Sequence, residues 1–372
     1  MKNIKLKHLL YPSVFALLFA VGCNKDIVEK GADWTELVPA KSDDNAGTWK
    51  TCILFNGDDI KIPDAAAVTT PQYLQELQEV KTAQAALTAE QKAAIQYWSA
   101  GVTLRWNEIM RALVAKHNLA PQDSAGAYPV PNQANPFAYP EFPFSNPPYA
   151  ARAYAYVTVA QYDALVATFK LKQQYKRPAP YKTDATITPS VSKSDLFAYP
   201  CEDAALAGAS VELLKFLFPT EIDFLNKKAD EARYYKLWAG AATRSDIMAG
   251  DSVGRAVALK VLARARNDNM RNALGTQAKW DSLAQNRVAL GEEPWKSMES
   301  PVRPPMLPFY GGVKVWLIPN VAAMRPAAPL STKSAAIRQQ MDEVLSYTKS
   351  PKRENVAIVH FWADGTDRKS VV

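Results

Sequence analysis

Between Ile95 and Leu113 the large apolar residues fall at Ile95, Trp98, Val102, Trp106, Ile109 and Leu113. Every step is three or four, which traces one face of a helix; a half-buried strand would alternate instead. From about residue 150 the same spacing links Ala151, Ala155, Thr158, Tyr162, Leu165 and Phe169, which are expected to form one helical face. Asp203–Phe218 and Ile222–Ala265 continue the pattern, the second with a break expected near Trp238–Thr243. Ala249, Gly250 and Gly254 are small enough to let two helix backbones approach closely. Ser331–Tyr347 reads as one more helix, and no strand-rich stretch or short repeat is present. The fold class is therefore all-α, a helical bundle.

Local chemistry marks where helices begin. Thr70-Pro71 has the form of an N-cap followed by proline in the first turn. Thr88-Ala-Glu-Gln91 has the form of a capping box. Residues 121–149 hold eight prolines and six Tyr or Phe residues. Proline removes a backbone donor and clashes with the preceding turn, so this stretch is a long aromatic loop. Loops of this length serve as site covers or as structural packing. Residues 301–329 form a second proline-rich connection.

The N-terminus reads as an export signal. Lys2, Lys5 and Lys7 precede an apolar stretch from Leu9 to Ala20, and Ala20-Val21-Gly22 places small residues directly before Cys23. Those are the parts of a secretory signal, and the apolar run is shorter than the roughly 20 residues a membrane span needs. The ending resembles the bacterial lipobox, which implies lipidation of Cys23 and a mature chain that begins there. The domain reading is a lipoprotein signal peptide over 1–22, a tether with a few docked turns over 23–69, and a helical domain over 70–372. The expected membrane partner is reached through the Cys23 lipid, and the expected location is the cell envelope, on the outer membrane.

Composition narrows the chemistry. The net charge of +7 falls to +4 without the three signal lysines, and no dense Lys/Arg run occurs, so nucleic-acid binding is not expected. A small basic excess suits a small oxyanion or phosphoester. The mature chain has two histidines, His117 and His360, too few for histidine-rich zinc or di-iron centres, and no metal ligand set is assigned. His117 reads as a solvated cation at a helix end and His360 as a packing residue. Cys52 and Cys201 could pair, but two distant cysteines make no disulfide framework.

Three ordered segments stand out. The first runs from Lys170 to Arg177-Pro178, the second is Tyr199-Pro200-Cys201-Glu202-Asp203-Ala204, and the third runs from Tyr235-Lys236 through Gly240 to Arg244-Ser245-Asp246. Their order and spacing resemble the type 2 phosphatidic acid phosphatase and vanadium haloperoxidase superfamily, whose pattern is K-x6-RP, PSGH and SR-x5-H. The resemblance covers about residues 90–362 and is nearest to haloperoxidase-like lipoproteins of Bacteroidetes. It implies a helical bundle and a phosphate or vanadate site. There lysine and arginine hold the oxyanion, a helix start favours its charge, and two histidines supply acid and nucleophile or metal ligand.

Carried over residue by residue, Lys170, Arg177 and Lys236 take the oxyanion-binding positions. Pro200 matches the first PSGH position, while Cys201, Glu202 and Asp203 replace the rest, which puts Asp203 at the general-acid position. Aligning Gly240 and Arg244-Ser245-Asp246 with the family's AGxHxRSD ending puts Ala242 at the nucleophile. Using Thr243-Arg244 as the SR pair puts Gly250 there instead. In both registers the histidine is missing, so vanadate, the cofactor the resemblance implies, lacks its ligand. The K-x6-RP spacing also occurs at Lys296 and Arg303-Pro304, so the ordered triple carries the resemblance and the single motif does not.

Family members continue past a segment like Trp362–Gly365 into a further helical repeat, which Thr366–Val372 do not resemble. The resemblance thus implies a domain incomplete at its C-terminus. Two functional readings follow: an oxyanion-handling enzyme of this superfamily, or a lipid-anchored envelope protein that keeps the bundle without the chemistry. Lys170 and Arg177 are expected to lie near one another, close to the helix that follows Pro200.

Overall fold

Thr70 starts the first helix by accepting a hydrogen bond from the Tyr73 amide at 3.3 Å, with Pro71 next to it in the first turn. In the computed structural model this helix, α1, spans Pro71–Ala85. Residues 35–38, 43, 45–54, 60–117, 144, 146–298, 302, 304–318 and 320–362 are described. Contacts divide the chain into residues 1–33, which lie outside the described residues, and residues 34–372. Cys23, the signal segment and most of the 121–149 loop also lie outside them.

The expected capping box is present: the Gln91 amide donates to Thr88 Oγ1 at 3.2 Å and the Thr88 amide to Gln91 Oε1 at 2.9 Å, opening α2, Ala89–Ser99. The long helix expected through Leu113 is broken. Gly101, at φ +122°, turns the chain before α3, Val102–Lys116. The six periodic residues are buried all the same, because the break preserves their common face. Trp98 and Trp106 are wholly buried, and an aromatic of that size removes about 150–250 Å² from water.

Apart from a single turn at Pro180–Thr183, the remaining α-helices are α4, Pro147–Tyr175; α5, Glu202–Leu217; α6, Ile222–Trp238; α7, Arg244–Arg266; α8, Gln277–Ala289; α9, Ala335–Lys349; and α10, Arg353–Trp362. No strand occurs among the described residues. α5 is the central element, buried without interruption from Ala204 to Val211, as a helix apolar on all sides must be. It packs most extensively on α7, then on α4 and α6. Glycine makes the α5–α7 approach possible: a Cβ on Gly250 would stand 2.1 Å from the Cys201 carbonyl oxygen, and one on Gly254 2.0 Å from that of Ala205.

α4 corrects the sequence-based face. Ala151, Ala155, Thr158, Tyr162, Leu165 and Phe169 lie on its outer, partly exposed side, while Ala153, Val157, Ala160, Ala164 and Ala167 are fully buried. Small residues bring α4 close to its neighbours, so the bulkier set is displaced outward. Asp163, wholly buried on α4, accepts the amides of Cys52, Ile53 and Leu54 at 2.8, 2.7 and 3.1 Å and so docks residues 45–54.

The C-terminal helices differ in kind. α8, α9 and α10 bury no residue, and Met341, Val344, Ile358 and Trp362 are exposed. α8 and α10 are absent from the sequence reading, and His360 on α10 is exposed where packing was expected. His117 is also corrected: it is half-buried and bonded to Glu221 at 2.8 Å. No described helix is long and apolar enough to cross a membrane.

Candidate functional site

The three segments singled out by sequence meet at the end of α4, the start of α5 and the α6–α7 turn. The Ala198 amide donates to the Arg177 carbonyl at 2.8 Å, and the Cys201 amide donates to the Asp246 carbonyl at 2.8 Å. Lys176, in a left-handed conformation, ends α4 and sends Arg177-Pro178 back toward this junction.

Arg177 reaches the junction, where its Nε and Nη2 hold α7. Its Nε donates to Asp246 Oδ1 at 3.1 Å, and its Nη2 donates to Ser245 Oγ at 2.8 Å and to Asp246. Asp246 in turn accepts the Thr243 amide at 2.7 Å and hydroxyl at 2.9 Å, a capping box at the start of α7. The guanidinium lies 4.4 Å from the Tyr199 ring centroid and 5.3 Å from that of Tyr73, and the residue is 3% exposed. Its Nη1 finds no hydrogen-bond partner among the described residues.

The lysine that arrives from α4 is Lys172. Residues two apart on a helix point to nearly opposite sides. Lys172 is 1% exposed and pairs with Glu202 at 2.7 Å, whereas the Lys170 backbone nitrogen packs against Gly47 on the other side of α4. The Lys172 ammonium also donates to the carbonyls of Phe197 and Ala198. Lys236, near the end of α6, pairs with Glu202 and, at 2.7 Å, with Asp203. The Tyr235 hydroxyl donates to Asp203.

Burial alone would push the Glu202 carboxyl up, but Lys172 and Lys236 outweigh it and hold the group below the ordinary carboxylate range. Burial would likewise lower Lys236, and Asp203 with Glu202 reverses that and raises it well above an ordinary lysine. Burial, followed by the Asp203 carboxylate, lifts the Tyr235 phenol well up. The Cys201 thiol is pushed up to about 12, mainly by burial, which leaves it protonated and poor as a nucleophile at neutral pH.

A cavity of about 60 Å³ opens here, with Tyr181, Ser194, Phe197, Glu202, Lys236 and Ala242 among its lining residues. Ala242 thus faces the cavity, while Gly250 is spent on the α5–α7 contact. Asp203 is turned to Lys236 and Tyr235 and does not line it. Arg244 points elsewhere, paired with Glu79. Sequence reasoning missed Glu202 and Lys172. The signal available was the acidic Glu202-Asp203 pair at a helix start expected to receive an anion.

The result is an all-helical bundle whose converging cations, Lys172, Arg177 and Lys236, meet three carboxylates of the same chain. Ala242 puts a methyl group at the cavity, at the position where the resemblance would place the vanadate-ligating histidine. No family model and no curated protein matches the chain. Among solved structures it is similar to a bacterial vanadium-dependent iodoperoxidase, with 18% identity over 67% of this chain and 63% of that one, at a TM-score of 0.45. It is also similar to a holo-type bacterial vanadium-dependent chloroperoxidase, with 10% identity over 60% and 55% and a TM-score of 0.45. A third is the transmembrane PAP2-type phosphatidylglycerolphosphate phosphatase from Bacillus subtilis, with 13% identity over 54% and 89% and a TM-score of 0.35. The chain spans less than two thirds of the length of each haloperoxidase.

Proposed function

We propose that this chain is a lipid-anchored cell-envelope protein that keeps a phosphatase/haloperoxidase-type helical bundle and performs no phosphoryl or halide chemistry at that site. One observation carries the reading. Each converging cation is already paired: Lys172 and Lys236 with Glu202, Lys236 with Asp203, and Arg177 with Asp246. The three positive charges therefore meet three negative ones, and an incoming oxyanion gains little electrostatic attraction. With Ala242 at the cavity, the histidine with which the superfamily attacks phosphorus or ligates vanadium has no counterpart there. The lipid at Cys23 is the anchor in this reading, supported by the signal pattern before it, and places the bundle at the outer membrane.

Two assays test it. A labelled fatty acid is expected to mark the protein, and Cys23→Ser to remove the label and release the chain from membranes. The purified protein is expected to show neither p-nitrophenyl phosphate hydrolysis nor vanadate-dependent bromination. Turnover lost in Lys172→Ala would establish the oxyanion-handling enzyme instead.

A further inference from the structure

Lys236, which the sequence assigns to an oxyanion, and Lys172, which stands where Lys170 was expected, share an occupant already. Glu202 places one carboxylate oxygen 2.7 Å from Lys172 Nζ and the other against Lys236 Nζ. A carboxylate bridging two ammonium groups, at the positive end of α5, presents to them what a phosphate would: paired anionic oxygens. Cys201, the N-cap, makes no side-chain cap bond, so the start of α5 keeps its affinity for negative charge. Both the carboxylate and Lys236 border the cavity, so an external anion could reach Lys236 from that side if the carboxylate were neutral.

Resting on the non-catalytic reading above, we infer that Glu202 is an internal anion occupying a tetrahedral-oxyanion site, and that neutralising it uncovers that site. The lysines do not relax into solvent, because Lys172 is held by the carbonyls of Phe197 and Ala198 and Lys236 by Asp203. With Glu202 neutral, the two lysines and Asp203 leave one net positive charge, enough to attract phosphate and too little to activate it.

The test compares full-length native protein with Glu202→Gln, using inorganic phosphate as the probe and sodium chloride at equal ionic strength as the control. Phosphate at about 10 mM is expected to leave the native melting temperature unchanged and to raise that of Glu202→Gln, as mass action requires of a ligand that binds only the folded state. Calorimetry is expected to give at least about tenfold tighter binding in the variant. Adding Lys172→Met to Glu202→Gln should abolish it. If Glu202→Gln is unfolded alone, recovery of its helical circular dichroism with phosphate supports the inference, and failure to recover overturns it. Binding no tighter than native also overturns it while leaving the non-catalytic reading intact. Turnover by the native chain would instead remove that reading.

Discussion

The carbonyl oxygen of Ala205 on α5 fills the space that a Cβ on Gly254 of α7 would need, 2.0 Å from its position. The obstacle is backbone inside a helix, so no rotamer change relieves it. Gly254→Ala is expected to cost about 3 kcal/mol, the upper part of the usual range for overpacking. Gly311→Ala, which meets nothing within 4 Å, should stay within about 0.5 kcal/mol of native. Urea unfolding of both variants checks the contrast.

Asp163 ties a distant segment to the bundle through three amides. Asp163→Ala leaves those donors without their acceptor, and Gly47 packs too tightly on α4 for the segment to shift and find others. Hydrogen bonds to a charged acceptor are worth about 1.5–3 kcal/mol each, so residues 45–54 are expected to detach. Limited proteolysis should then cut within that segment while α5 and α7 stay protected.

The Lys172–Glu202–Lys236 cluster sets a pH window. Glu202 is depressed in the folded state, so its contribution is complete above the unfolded carboxylate value of about 4.3 and is lost as pH falls toward its lower folded value. Lys236 is raised, so its contribution is complete below about 10.4 and is lost as pH rises through the folded value. Stability should be level between those limits with respect to these two groups. Glu202→Gln is expected to flatten the acid limb in melts taken from neutral to strongly acid pH.

The two cysteines beyond Cys23 are free thiols of opposite exposure. In a Cys23→Ser chain, an alkylating reagent at about pH 8 is expected to modify Cys52 and to leave Cys201 untouched, since burial holds the Cys201 thiol near 12. Denaturant should expose both. Rapid labelling of Cys201 in the folded protein would contradict its placement at the start of α5.

What the sequence disclosed was local. Thr70 and Thr88 cap helices through bonds that span three residues, and the Ile95–Leu113 face is a matter of spacing alone. The break at Gly101 was hidden because the periodic face passes through it. The α4 face was misread because bulk suggested the inside, while close packing among α4, α5 and α7 selects alanine. At the site the right segments were visible but not their occupancy. Lys170 and Lys172 differ only in which side of α4 they take, and that is decided by Gly47 and Glu202, both distant in the chain.

The exposed character of α8, α9 and α10 has a thermal consequence. Melting a folded domain absorbs about 0.7 kcal/mol per residue near about 60 °C, a figure that presumes residues leaving a packed interior. These three helices have no buried residue to release, so scanning calorimetry should give an enthalpy per residue well below that figure when it is divided by chain length. Their amides should exchange with deuterium through small openings, in which α8–α10 unravel turn by turn while α5 keeps its protons until the whole bundle melts.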